Sequence, residues 1–477
     1  MTNGSSSTET SRPDAVIPRE MLFPFALVTT LFALWGFAND VTNPLVKAFQ
    51  QIFLISNKQS SLVQTAFYGG YATMALPAAI FIRRYSYKAG ILVGLALYAI
   101  GAFLFIPASF LMEFWLFLLA LYVLTFGLAF LETTANPYIL AMGPASTATR
   151  RLNFAQAFNP IGSLVGMVVA SSIVLAGLGV SEFRDKELKA HPEYQQMLPS
   201  EVDARITQAL REFQQRDPEG HREMQARDLQ RVRIPYVAIG VVVTVMLIVF
   251  AVSKLPRAGG QDRHVHFFET AARLLKNGRY LGGVVAQTFY VGAQIMCWTF
   301  IIHYAMANLK MSAAQAQNYN VVAMTLFCTS RFVCTYLLKY VSPGGLLGTL
   351  ALGGMALTAG TVFLEGMPGL YCLIGISGCM SLMFPTIYGI ALHGLGDDAK
   401  LGSAGLIFAI VGGALMPPLQ GAIIDFGDQS GNLTVSGFTL PAVSASFVLP
   451  FICFVVIAVY GFLTHANRHA TAEAARA

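Results

Sequence analysis

Long apolar segments dominate this 477-residue chain and constrain its fold more than any other feature. A helix needs about 20 apolar residues to cross the hydrocarbon core of a bilayer, and runs such as LYVLTFGLAF and IGVVVTVMLIVFAV supply them. Only 12% of the residues are charged, about half the share found in soluble domains. The short alternating segments of a transmembrane β-barrel are missing. The sequence therefore predicts an all-α membrane protein and excludes an ordinary soluble enzyme.

The lengths of the apolar runs, and the Arg, Lys, Gly and Pro residues between them, predict twelve spans. They fall at about 22–45, 60–82, 90–109, 114–141, 153–177, 234–253, 280–306, 316–340, 345–364, 369–393, 402–424 and 440–463. Residues 1–21 are polar and lack the apolar core of a secretory signal, so we expect a retained tail, with a second tail at 464–477. The basic segment 254–279 separates an N-terminal half, 22–253, from a C-terminal half, 280–463.

Lysine and arginine are unevenly distributed over the short loops, and this predicts the orientation. The short loops on one side of the membrane hold only Lys47, Lys58 and Lys310. The loops on the other side contain Arg83, Arg84, Lys88, Arg150, Arg151, Lys254, Arg257, Arg263, Arg273, Lys276, Arg279, Lys339 and Lys400. We therefore expect both termini in the cytoplasm. The net charge of +6 reflects this bias, so we expect no nucleic-acid partner.

One long loop, 180–233, is rich in charge on the predicted external side, where long loops translocate largely regardless of charge. Apolar residues at helical spacing within it predict a small amphipathic cap. They are Val202, Ile206, Ala209, Leu210 and Phe213. A solvated helix packed on the rim is the simpler interpretation, and a lid that gates a ligand is the alternative.

Local similarity between the halves predicts an internal repeat. Asn136-Pro137-Tyr138 is followed by Arg151 and a glycine-rich span, and Phe384-Pro385-Thr386 is followed by Lys400 and another. Two parallel six-helix halves with a substrate site between them are the architecture of the major facilitator fold. Prolines inside several spans free backbone carbonyls, which must then be satisfied by neighbouring groups or by water in a cavity. These prolines are Pro137, Pro160, Pro385, Pro417 and Pro418.

Ionisable groups inside spans are costly, so each one is a functional candidate. Glu132 lies deep in the fourth span, and a desolvated carboxyl that can hold a proton suits proton coupling. A structural glutamate bonded to a neighbouring Tyr or Asn is the alternative. Arg331 lies inside the eighth span, where it either snorkels or pairs with an acidic or carbonyl group at the inner gate.

Neutral donors and acceptors in spans of opposite halves suit a sugar, whose hydroxyls pair with amides and whose apolar face stacks on aromatic rings. The candidates are Gln156 and Asn159 in LNFAQAFN, with Gln287, Tyr290, Gln294 and Trp298 in AQTFYVGAQIMCW. For each of them, hydrogen bonding between helices is the alternative interpretation.

The sequence gives little support for enzymatic or ATP-driven functions. The Walker A, GxSxG and HExxH motifs are missing, so neither ATP-driven transport nor a common membrane hydrolase is predicted, and we expect no enzyme. The six cysteines lie in apolar runs without metal-ligand spacing, so we expect no metal and no cofactor.

Several stretches resemble the L-fucose:proton symporter family of the major facilitator superfamily, over about residues 22–463 without the 180–233 insertion. They are FALWGFANDVTNPLVKAFQQ, TAFYGGYATMALPAAIFIRRYSYKAGILVGLALYAIGAFLF, FLETTANPY, LNFAQAFN, YVGAQIMCW and FPTIYGIALHGLGDDAKLGSAGLIFAIVGGALMPPLQGAIID. The resemblance implies a multi-pass importer of the bacterial inner membrane that carries a sugar with a cation.

The same resemblance points to Glu132 as the protonation site. The family has its first-span carboxylate where Asn43 stands here, and this chain has Asp40 about one helical turn earlier on the same face. Asp40 is therefore a second candidate for proton coupling, with a structural hydrogen-bond acceptor as the alternative. Asn43 is expected among the substrate-binding residues.

We thus expect a monomeric, proton-driven importer of L-fucose or a related hexose or pentose that works by alternating access. The open alternatives are a sodium-coupled importer of glucose or galactose, a facilitative or export permease for a non-sugar compound, and a sugar-sensing receptor. The sequence leaves both the sugar and the coupling ion undecided.

Overall fold

The computed structural model describes residues 16–42, 45–60, 62–170, 172, 177–197, 199–256, 267–311, 313–427, 432–435 and 438–474. Within these ranges, twelve helices are long and apolar enough to cross a membrane. They cover Arg19–Thr42, Leu62–Arg84, Tyr87–Leu111, Phe114–Ala141, Ala145–Val169, Pro218–Val252, Gly278–Leu309, Gln315–Leu337, Pro343–Phe363, Met367–Leu392, Gly396–Asp425 and Ala442–Ala466. The prediction of an all-α membrane protein with twelve spans is confirmed.

Several of the spans are built from two helices. The N-terminal half contains α1 (Leu22–Thr42), α2 (Leu45–Ile52), α3 (Asn57–Ser60), α4 (Leu62–Arg84), α5 (Tyr87–Phe103), α6 (Phe105–Leu111), α7 (Phe114–Ala141), α8 (Ala148–Gln156), α9 (Asn159–Val169), α10 (Gly179–Ala190), α11 (Pro199–Arg216) and α12 (Pro218–Val252). The rest of the chain contains α13 (Phe267–Lys276), α14 (Gly278–Leu309), α15 (Ala313–Leu337), α16 (Pro343–Phe363), α17 (Met367–Met380), α18 (Met383–Leu392), α19 (Ala399–Phe408), α20 (Gly412–Asp425), α21 (Ala442–Ala445) and α22 (Val448–Ala474). A short antiparallel hairpin, β1 (Asn432–Val435) and β2 (Phe438–Pro441), precedes the last span.

Two of the helix breaks follow directly from proline. The fifth span breaks between α8 and α9, just before Pro160, and the tenth breaks between α17 and α18, just before Pro385. Proline has no N–H to donate and its ring crowds the preceding turn, so the helical ladder is interrupted there. In both spans the interruption lies inside the bundle rather than at its ends.

The two halves repeat one packing pattern. The first span packs closely on the fifth, where a Cβ at Gly162 would overlap the Ala33 carbonyl, and the seventh packs on the eleventh, where a Cβ at Gly412 would overlap the Thr288 carbonyl. Small residues of this kind let the backbones of membrane helices approach closely. The fifth span is the equivalent of the eleventh in a six-plus-six repeat, so this shared contact supports the repeat.

The equivalent cations Arg151 and Lys400 are both buried, near the starts of the fifth and eleventh spans. They lie at the same end of the bundle as Arg83 and Arg279. We call this end the basic face and the other end the opposite face.

The segment after the fifth span forms a helical cap on the N-terminal half. In α11, Val202, Ile206 and Leu210 are buried as the apolar spacing predicts. The Asp228 carboxylate accepts hydrogen bonds from the Gly179 and Val180 amides at 2.6 and 3.1 Å. It thereby caps the first turn of α10 and ties it to α12.

Helix α12 begins at Pro218, within the segment 180–233 that the sequence predicts to be a loop, and α22 continues to Ala474 through the predicted tail. Both extensions are polar. Apolar run length locates the part of a helix inside the bilayer, whereas helix formation continues into water wherever the sequence permits it.

Candidate functional site

A cavity lies between the two halves. Its described lining combines aromatic rings, amides, two carboxylates and one guanidinium. The N-terminal half contributes Trp35, Asn39, Asp40, Phe67, Tyr68, Tyr71, Glu132, Gln156, Asn159, Pro160 and Ser163. The C-terminal half contributes Tyr290, Val291, Gln294, Ile295, Trp298, Met324, Phe327, Arg331, Phe384 and Ile410. Such a mixture suits a ligand with hydroxyls on its edge and an apolar face.

Glu132 is buried at 6% exposure at the edge of this cavity. The Tyr71 hydroxyl donates to its Oε1 at 3.5 Å, and its Oε2 has no hydrogen-bond partner within the described part of the chain. A weakly paired carboxylate is costly to keep charged inside a membrane protein. Protonation removes this charge and gives the carboxyl a hydrogen to donate, so this position suits a group that gains and loses a proton.

A chain of amides leads from Glu132 to the fifth span. Asn136 Nδ2 donates to the Glu132 carbonyl at 3.0 Å, and Gln156 Nε2 donates to Asn136 Oδ1 at 2.8 Å. Gln156 lies at the end of α8 and lines the cavity. The Gln156 side chain is therefore linked, through the single amide of Asn136, to the helix turn that carries Glu132.

Asp40 and Asn159 both line the cavity, from the first and fifth spans. Asn159 Nδ2 donates to the Phe32 carbonyl at 3.2 Å, which holds the first span against the start of α9. The second predicted carboxylate thus shares the cavity with Glu132. Asn43, predicted to bind substrate, lies outside the described residues.

In the seventh span, Tyr290, Gln294 and Trp298, which are candidates for sugar binding from the sequence, line the cavity. Trp298 Nε1 donates to Ser377 Oγ at 3.2 Å. Its ring meets Phe327 edge-on, with centroids 5.0 Å apart and the planes at 84°. The Tyr290 hydroxyl donates to the Met380 carbonyl at 3.2 Å.

Gln287 differs from the other predicted side chains of the seventh span in its position. It is fully buried and is not among the side chains that line the cavity. Neither its Oε1 nor its Nε2 has a hydrogen-bond partner among the described residues. Gln287 lies about one turn from Tyr290 toward the basic face, where the surrounding helices pack tightly. It is on the same side of the helix as the lining residues, but at a level where the cavity has already ended.

Sequence reasoning did not commit to several lining residues. Trp35 and Asn39 are four residues apart in the first span, beside the predicted Asp40, and Tyr68 and Tyr71 are three residues apart in the second. Helical spacing of polar and aromatic residues within a span was the signal that could have found them. Arg331 also lines the cavity. Of the alternatives predicted for it, the structure shows pairing with backbone carbonyls, those of Ser381 and Gln156.

On the basic side of the cavity, polar contacts join the halves. Asn153 Nδ2 donates to Thr386 Oγ1 at 3.1 Å, between the fifth and tenth spans. The Arg83 guanidinium donates to Thr270 Oγ1 at 2.8 Å and lies 3.9 Å from Asp398. Ring contacts at this level include Phe158 with Phe332, whose centroids are 6.3 Å apart.

Asp398 also binds the helix that follows the first half. Arg273 in α13 donates from Nε and Nη2 to the two Asp398 oxygens, each at 3.0 Å. These hydrogen bonds and the carboxylate charge raise the pKa of Arg273 above its ordinary value. The basic face is therefore closed by a cluster in which the Asp398 carboxylate accepts hydrogen bonds from Arg273 and lies within ion-pair distance of Arg83.

Two six-helix halves around one central cavity, closed at one end, define a membrane transporter of the major facilitator fold. The family model described as Major Facilitator Superfamily matches residues 27–184.

Comparison with known proteins identifies the family within this superfamily. The L-fucose-proton symporter of Haemophilus influenzae is 53% identical over 448 residues, which cover 94% of this chain and 97% of that protein. The L-fucose-proton symporter of Escherichia coli is 34% identical over 96% of this chain and 98% of that protein. A crystal structure of a Major Facilitator Superfamily transporter, FucP, in the outward conformation superimposes with a TM-score of 0.77 at 33% identity, covering 94% of this chain and 99% of that one. The chain belongs to the L-fucose-proton symporter family of the Major Facilitator Superfamily.

Proposed function

We propose that this protein imports L-fucose, or a closely related sugar, together with a proton across the bacterial inner membrane. One observation carries the proposal: the carboxylates Glu132 and Asp40 line the same inter-half cavity as the amides and aromatic rings that suit a sugar. Transport is coupled most directly when the driving ion and the substrate act on one site. The high identity to two L-fucose-proton symporters supports the same substrate and ion.

In this proposal the cavity works by alternating access. The basic face is cytoplasmic, as its Lys and Arg excess favours, and the halves contact one another on that side. The cavity would then load from the periplasm. Glu132 takes up a proton in the loaded state and releases it after the cytoplasmic side opens, because a permanent charge near the midplane is costly to carry through the cycle.

The amides and aromatic rings have separate tasks in binding. Gln156, Asn159 and Gln294 can pair with sugar hydroxyls through both donor and acceptor atoms. Trp298, whose ring is oriented by Ser377 and Phe327, offers a flat apolar surface for one face of the sugar ring. The C-terminal wall thereby holds the sugar against the N-terminal wall that carries the proton.

Uptake into membrane vesicles tests the proposal. Labelled L-fucose should accumulate when a proton gradient is imposed and should not respond to a sodium gradient alone. A panel of hexoses and pentoses measured in parallel identifies the sugar. Accumulation driven by sodium would favour the sodium-coupled hexose importer, and equilibration without accumulation would favour a facilitative permease.

The proposed orientation, with both termini in the cytoplasm, has its own test. A reporter fused at the C-terminus should behave as cytoplasmic, and one inserted near residue 215 as periplasmic. The reverse pattern would contradict the orientation and leave the sugar assignment unaffected.

A further inference from the structure

Arg331 is a buried cation that the transport scheme above does not use. Its side chain lies inside the eighth span at 3% exposure. None of the ion pairs found in the described part of the chain includes it. Its guanidinium lies 4.5 Å above the Phe327 ring, and it borders the central cavity. An intramembrane arginine without an acidic partner needs other groups to compensate it.

Those groups are two backbone carbonyls, one in each half. Nε donates to the Ser381 carbonyl at 2.5 Å, and Nη1 donates to the Gln156 carbonyl at 3.0 Å. Ser381 lies at the break in the tenth span, and Gln156 lies at the break in the fifth.

Proline explains why both carbonyls are available. A helical carbonyl accepts from the N–H four residues later. Four residues after Gln156 stands Pro160, and four residues after Ser381 stands Pro385. Neither proline has an N–H. Arg331 therefore satisfies two proline-freed carbonyls at once, and an unpaired buried carbonyl would be costly.

The two hydrogen bonds differ in what they connect. The bond to Ser381 joins the eighth and tenth spans within the C-terminal half, whereas the bond to Gln156 crosses to the N-terminal half. When the halves separate on the basic side, the bond to Gln156 must break. The same Gln156 residue is linked through Asn136 to the Glu132 turn.

We propose that Arg331 is a latch that holds the basic side closed while the cavity is empty. When sugar binds, one of its hydroxyl oxygens accepts the Nη1 hydrogen bond in place of the Gln156 carbonyl, and the latch is released. A hydroxyl oxygen is a suitable acceptor for a guanidinium N–H. Ser381 keeps the guanidinium in place at the cavity wall during the exchange. Arg331 is thus a positioning residue that links occupancy of the cavity to opening of the basic face. The release step rests on the proposed sugar transport, whereas the latch in the empty protein does not.

Hydrogen–deuterium exchange of the full-length protein in lipid nanodiscs tests the latch without sugar. Arg331→Gln should increase amide exchange in both α8 and α18 by about tenfold, because a hydrogen bond to a charged group is lost across the interface. Arg331→Lys should give a smaller increase, since a single ammonium does not reproduce the two directed hydrogen bonds of the guanidinium.

The matched control is Arg151→Gln. Arg151 is also a buried arginine that donates to carbonyls, but its partners Ile139, Leu140 and Val16 all belong to the N-terminal part of the chain. Its loss should loosen α7 and α8 and leave α18 unchanged. If Arg331→Gln and Arg331→Lys both leave α8 and α18 as protected as in the wild type, or if Arg331→Gln changes the same segments as Arg151→Gln, the latch is overturned.

L-Fucose added to the wild type tests the release step. It should increase exchange in α8 and α18, and the same addition should cause no further increase in Arg331→Gln. A further increase in that variant would overturn release through Arg331. Proton-driven uptake by the wild type is measured on the same preparation, so the failure of L-fucose as substrate is recognised separately from failure of the latch.

Discussion

The two walls of the central cavity come from halves that share one packing pattern, yet they carry different chemistry. The N-terminal wall holds both carboxylates, Asp40 and Glu132, with the amides of Gln156 and Asn159. The described C-terminal wall holds aromatic rings, Gln294 and the cation Arg331, and no acidic residue. The two halves share a fold, but the N-terminal wall has groups suited to proton exchange and the C-terminal wall has groups suited to holding a sugar. Substitutions in the two walls should therefore have different signatures.

The largest effect is expected at Glu132. Glu132→Gln keeps the side-chain shape and fixes the neutral state, so exchange of internal for external sugar should survive while proton-driven accumulation is lost. Counterflow and gradient-driven uptake in vesicles measure the two activities. Loss of both would mean that Glu132 is needed for binding or folding rather than for coupling.

Asp40→Asn is the companion to that experiment, because Asp40 lies on the same wall. If it abolishes accumulation while Glu132→Gln does not, the coupling role belongs to Asp40. Accumulation retained in both variants would contradict proton symport and would favour a sodium-dependent or facilitative mechanism.

The next effect compares one amide from each wall. Gln156→Ala and Gln294→Ala should each weaken sugar binding by roughly 1–3 kcal/mol, through lost or unpaired hydrogen bonds. Gln294 makes no side-chain hydrogen bond within the described part of the chain, whereas Gln156 holds Asn136 near Glu132.

Gln156→Ala should therefore also lower the number of protons moved per sugar, and Gln294→Ala should leave that ratio unchanged. Binding by isothermal calorimetry and proton flux during uptake separate the two effects. Equal proton-to-sugar ratios in the two variants would argue against the division between the walls.

A smaller effect is expected at Trp298, on the C-terminal wall. Trp298→Phe keeps an aromatic face but loses the hydrogen bond to Ser377, which orients the ring. We expect sugar binding to weaken by about 0.5–1.5 kcal/mol, the usual range for an aromatic contact. Proton coupling, measured as before, should be unaffected. Ser377→Ala is the control that removes the hydrogen bond and keeps the indole.

The smallest effect is expected at Arg83, outside both walls. Arg83→Gln removes a hydrogen bond to Thr270 Oγ1 and a 3.9 Å contact to Asp398, but Arg273 still donates to both of these partners. The closed basic face should therefore loosen only slightly, with an uptake rate within about twofold of the wild type, because one neutral hydrogen bond and one long ion pair each contribute little. A loss of uptake comparable to that of Glu132→Gln would show that Arg83 has a role beyond this contact.

Much of the fold is encoded locally. The apolar runs predict the twelve spans, since the bilayer sets the length of each one, and the basic segment before the seventh span predicts the division into halves. Glu132 is also recognisable from the sequence, because a carboxyl deep in a span is rarely retained without a role. Pro160 and Pro385 likewise predict that two carbonyls inside the bundle need partners.

Tertiary structure decided which of those groups meet. Gln287 and Gln294 are seven residues apart on one helix and are equivalent by helical face, yet only Gln294 lines the cavity. The level at which the halves close lies between them, and no local pattern encodes that level. In the same way, the partner of the proline-freed carbonyls is Arg331, which lies 175 residues from Gln156 in the chain. Hydropathy reports how each segment meets the lipid, whereas a contact across the two halves depends on how all of the spans pack together.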